Sequence, residues 1–93
     1  MPRYLVRRAL GDITDEQLDT AAEHSTRVRV EQFPDIGHEH SHVVRTADGG
    51  LTAFCVYSAP SAADVREHAA AAGLPADEVQ EIERDLMPAK ETA

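Results

Sequence analysis

Three histidines stand at every second position in Gly37-His38-Glu39-His40-Ser41-His42. In an extended strand successive side chains alternate between faces, so His38, His40 and His42 are expected on one face. Same-face neighbours lie roughly 6–7 Å apart, within reach of a shared ion by choice of rotamer. Neutral imidazole ligates borderline divalent metals such as nickel, zinc and copper, and thiolate and carboxylate serve the same ions. The full row spans about 13 Å, so two imidazoles are expected at one ion and the third further out. The same row also suits a polar stripe on a solvated sheet, because no second motif of fixed spacing accompanies it.

The other reactive groups are isolated. Cys55 is the lone cysteine, in the aliphatic run Leu51-Thr52-Ala53-Phe54-Cys55-Val56-Tyr57. Free cysteines pack well in cores, whereas a nucleophilic thiol needs a nearby base and a lowered pKa. His40 or His42 could be that base, but no acyl-transfer motif surrounds either. His68 shares a helical side with Val65 and Ala72 and reads as a boundary residue; His24 carries a weaker signal still.

These groups need elements to place them. Residues 3–9 read as a strand, with Tyr4, Val6 and Arg8 facing one way and Leu5 and Arg7 the other. Thr14 with Gln17 forms a capping box, and Leu18, Ala21, Ala22, Ser25 and Val28 recur at helical spacing, predicting a helix over 15–32 that Pro34 ends. A second strand over 36–46 carries the histidines. Asp48-Gly49-Gly50 is a hairpin signal leading into a third strand over 51–57. Ser61 caps a second helix and Gly73 stops it. Residues 79–86 alternate like an edge strand, although their charge spacing also allows a helix; the strand completes a pattern. Residues 88–93 read as a flexible tail after a single domain over 1–87.

The order β-α-β-β-α-β predicts an α+β, ferredoxin-like split βαβ fold, with a four-stranded antiparallel sheet and both helices on one face. The economical phase puts Phe54, Val56 and Val43 beneath the helices. His40, His42, Cys55, Tyr57 and Arg7 then share the open face, which reads as a pocket or a dimer seam.

Composition narrows the partners. With 93 residues, no Trp and only two Phe and two Tyr, the core must lean on aliphatic side chains, and pairing with a second copy would cover more apolar surface. A net charge of -8 argues against nucleic acid and favours cationic ligands. One cysteine precludes an internal disulfide and fits a reducing cytosol. The N-terminus lacks the apolar core of a signal peptide, and no stretch approaches the ~18 apolar residues of a membrane span. A soluble, cytoplasmic protein is expected.

Several segments together resemble one known family. They are Pro2-Arg3-Tyr4-Leu5-Val6 with Arg8, then Pro34, His40-Ser41, Cys55-Val56-Tyr57 with Ala59-Pro60, Arg66-Glu67-His68-Ala69 and Gly73-Leu74-Pro75-Ala76-Asp77. In order and spacing, over about residues 2–80, they are similar to the small bacterial nickel-binding, nickel-responsive proteins of ferredoxin-like fold, many known only as a domain of unknown function. The resemblance implies a homodimer that binds Ni(II) or a similar divalent transition metal, with His40, Cys55 and His68 at positions where the family tends to have the same residues. This chain departs from the pattern at Arg7, where an acidic residue is frequent, at His42, where an aromatic is usual, and at His38, an addition.

The residues and the resemblance together give the leading expectation. A cytoplasmic, metal-responsive or sequestering protein would hold the ion through His40 and His42, with His38 or Cys55 contributing. A second expectation is a small dimeric α/β-barrel enzyme of isomerase or monooxygenase kind, with His40 as general base and Tyr57 and Arg7 orienting an anionic substrate. A third is a partner-binding module without chemistry.

Overall fold

The alternation of Tyr4, Val6 and Arg8 against Leu5 and Arg7 becomes strand β1 (Arg3–Gly11), with the first set buried. The computed structural model describes residues 1–90, with helix α1 (Asp15–Gln32), strands β2 (Gly37–Arg45) and β3 (Leu51–Ser58), helix α2 (Ala62–Ala72) and strand β4 (Glu78–Glu81) following in order. The sheet runs β2-β3-β1-β4 with every neighbouring pair antiparallel. Val65 of α2 joins Tyr4, Val6, Cys55 and Tyr57 in one core, and α1 roofs the same face, so both helices lie on one side as expected.

The helix boundaries follow from their caps. Thr14 accepts from the Gln17 amide at 3.1 Å while the Gln17 side chain accepts from the Thr14 amide at 2.9 Å, which pairs two otherwise orphaned donors. Ser61 accepts from the Asp64 amide at 3.2 Å in the same way. Gly73 closes α2 at φ +70°, where its amide reaches the Ala70 carbonyl and the Leu74 amide reaches that of Ala69. The hairpin after β2 closes through Thr46 and Gly50, with Gly49 at φ +91°.

Two features of the sheet depart from expectation. Strand β4 spans only Glu78–Glu81 rather than 79–86, and no helix forms there. It pairs with Tyr4–Arg7, and the Ile82 amide makes the last bond, to the Arg3 carbonyl at 2.8 Å; beyond it β1 has no residues left to pair. The second departure is a β-bulge in β2. His38 lies opposite Tyr57 and His40 opposite Val56, so Glu39 is an extra residue between two successive partners. The tail expected over 88–93 lies, at 91–93, outside the described residues.

Candidate functional site

Residues directly opposite one another in a ladder share a face, so the register assigns every side chain. Beneath the helices run three cross-strand rows: His38–Tyr57–Tyr4, Ser41–Cys55–Val6 and Val43–Ala53–Arg8. On the bare face His40 lies beside Val56 and Leu5, and His42 beside Phe54 and Arg7.

This corrects the expected phase in two places. Phe54 and Val56 belong to the bare face, while Cys55 and Tyr57 lie under the helices; Val43 is under the helices as expected. Small Ala53 and Cys55 suit the helix side because Tyr4, Val6 and Tyr57 already fill it. His38, expected beside His40 and His42, turns to the helix side because the bulge at Glu39 inverts the alternation. The bulge also lets His38 Nε2 meet the Ser41 hydroxyl at 2.8 Å, and its ring stacks on Tyr57 with centroids 4.7 Å apart.

The five candidate ligands therefore fall into two groups. His40 and His42 are exposed neighbours on the bare face, with ring centroids 5.2 Å apart and edge to face. Cys55 and His68 are buried on the helix side with His38 at its margin. His68, read from the sequence as a boundary residue, is only 1% exposed. It packs against Tyr57 and Phe33 with centroids 5.9 and 5.6 Å away. Burial holds its imidazole below the ordinary histidine range, helped by the charges of Arg8 and Arg29 and opposed by a bond to the Ser25 carbonyl. His38 is lowered by the same desolvation, with Arg29 the next cause.

The bare face offers two donors of the right type for a borderline divalent ion, which is part of a coordination sphere rather than all of it. Among the described residues no cluster of three or more His, Cys, Asp or Glu converges on a point. Arg7, the residue at odds with the family pattern, is engaged by Glu78 of β4 through Nε at 3.2 Å and Nη2 at 3.1 Å. Its charge is thereby offset beside the histidines. The enzyme constellation does not assemble, because Tyr57 and His40 lie on opposite faces of the sheet.

Sequence reasoning missed the polar groups beneath α1. Arg8 is 2% exposed, and its Nη1 and Nη2 donate to the Pro75 carbonyl at 2.7 Å and the Tyr57 hydroxyl at 3.3 Å. Its phase with Tyr4 and Val6 was the available signal: an arginine in register with core residues is a buried cation.

A four-stranded antiparallel sheet of this order, with two helices on one face and paired imidazoles on the other, defines a ferredoxin-like α+β protein. The family model for the nickel responsive protein SCO4226-like matches residues 4–82, and the chain belongs to that family. The crystal structure of SCO4226 from Streptomyces coelicolor A3(2) is similar, with a TM-score of 0.73 and 25% sequence identity over 90% of this chain and 99% of that one. No curated protein matches the chain. No helix among the described residues is long and apolar enough to cross a membrane.

Proposed function

We propose that this protein binds a nickel-type divalent transition-metal ion on the bare face of its sheet through His40 and His42. One observation carries the reading: two exposed imidazoles stand side by side, 5.2 Å between centroids, on the face without helices. Membership of a family described as nickel responsive supports the choice of ion. The pair leaves out His38, Cys55 and His68, which belong to the other side.

Two imidazoles do not complete a sphere of about four or more ligands, so water or a second copy supplies the rest. Half-buried Leu5 and Phe54 lie beside the histidines on this face, which supports a homodimer joined through it and bringing a second histidine pair to the same seam. With one free cysteine the protein suits a reducing compartment, and we assign its metal-responsive or sequestering action to the cytoplasm.

Calorimetric titration of nickel chloride into tag-free protein tests the assignment. His40→Ala and His42→Ala are each expected to weaken binding by ~10-fold or more, and His38→Ala to leave it nearly unchanged. Wild-type affinity in both bare-face variants would refute it.

A further inference from the structure

Between α1 and the sheet lies a cavity of about 270 Å³ on the side away from His40 and His42. Leu10, Leu18, Val43 and Leu74 give it apolar walls, yet Arg8 and Arg29 both line it. Such a pairing of greasy wall and buried cation is costly unless something answers the charge.

The guanidinium of Arg8 lies over the Tyr57 ring, 5.7 Å from its centroid, but no anion among the described residues pairs with it. A guanidinium carries five N–H donors, and Arg8 spends one on the Pro75 carbonyl and one on the Tyr57 hydroxyl, both neutral acceptors. Its Nε is buried without a partner, and no carboxylate among the described residues forms an ion pair with it. Arg29 donates to another neutral acceptor, the Ile36 carbonyl, at 3.0 Å. Asp19, an exposed residue of α1, is the only acidic residue in the lining. Two cations against one carboxylate leave the cavity one negative charge short.

We propose that this cavity binds a small organic monocarboxylate, its carboxylate on the Arg8 guanidinium and its apolar body along the inner face of α1. The planar guanidinium matches a carboxylate better than a spherical anion, and the aliphatic walls call for a carbon skeleton rather than a bare inorganic ion. Water occupies about 30 Å³ per molecule, so the cavity suits a ligand of about nine non-hydrogen atoms, the size of benzoate or octanoate. The site draws on neither bare-face histidine and stands independently of the proposed metal.

Amide NMR spectra of the full chain titrated with sodium benzoate, and in parallel with benzamide, test the proposal. Benzoate is expected to shift resonances around Arg8, Ser25, Ser41 and Tyr57 saturably, with benzamide at least ~10-fold weaker. Ala21→Trp, which fills the cavity from α1 and leaves the Arg8 residue itself in place, is expected to abolish the shifts while leaving the rest of the spectrum folded. Arg29→Gln retains the cavity and is expected to weaken benzoate several-fold but not benzamide. Equal affinity for acid and amide, benzoate binding undiminished in Ala21→Trp, or no saturable shift with benzoate or octanoate up to ~10 mM would overturn the proposal.

Discussion

His68 on α2 and Ser25 on α1 are joined by a bond from the imidazole Nε2 to the Ser25 main-chain carbonyl, 3.1 Å long and buried. A carbonyl can only accept, so Nε2 carries the proton and Nδ1 is left as a buried lone pair without a partner. The Ser25 hydroxyl, at 3.5 Å from the same nitrogen, contributes little beside it. His68→Ala is therefore expected to cost about 2–4 kcal/mol through lost packing on Tyr57 and Phe33 and a lost tie between helices. Ser25→Ala keeps the carbonyl and is expected to cost under about 1 kcal/mol. Urea unfolding of the two variants checks the contrast.

The same burial sets a pH dependence. His68 in the folded protein titrates below the ordinary histidine range, first because it is cut off from water and then because Arg8 and Arg29 are near. Above about pH 6.5 neither folded nor unfolded chain holds this proton, and the stability is fully present. As pH falls from there towards the lowered folded value, the unfolded chain takes up a proton that the folded one resists, and stability is lost. His38 is shifted the same way and adds to the trend. The urea midpoint is expected to fall between pH 7.5 and 5, and less steeply in His68→Gln than in wild type.

Gly73 offers a test of backbone conformation free of packing. Its φ of +70° is disfavoured for other residues, and an added Cβ would meet nothing within 4 Å. Gly73→Ala is expected to lower stability by about 1–2 kcal/mol without altering the core, as judged by near-unchanged circular dichroism and a lower melting temperature.

Nickel is expected to raise the melting temperature in a manner that depends on the bare-face pair. At a hundredfold excess over the dissociation constant the stabilisation is about 2.7 kcal/mol, and His42→Ala should lose most of it. Ligation needs neutral imidazole, so the gain shrinks on acidification. Calorimetric scans with nickel, with magnesium as the hard-cation control, read both effects.

Phe54 provides the corresponding test of pairing. It is only partly buried and sits across from His42 on the bare face. Phe54→Glu is expected to shift the proposed homodimer to monomer at micromolar concentration, seen by sedimentation, while leaving the helix side intact.

Local patterns in the chain were sufficient for the element order and most boundaries. The capping box at Thr14, the hairpin glycines, Ser61 and Gly73 each act within a few residues, so α1, α2 and the β2–β3 turn were legible directly. The ferredoxin-like order followed from these pieces. Strand phase was different, because a side chain's face depends on its partner across the ladder as well as on its own run. One extra residue at Glu39 sent His38 under the helices and left His40 and His42 outside, and no local signal marked it. The length of β4 depended on where β1 begins, and the uncompensated charge of Arg8 on which carbonyl and hydroxyl reach it from Pro75 and Tyr57. Contacts between residues far apart in sequence decided these, since a shift of one position in pairing exchanges every side chain between the two faces at no cost to the pattern read along the chain.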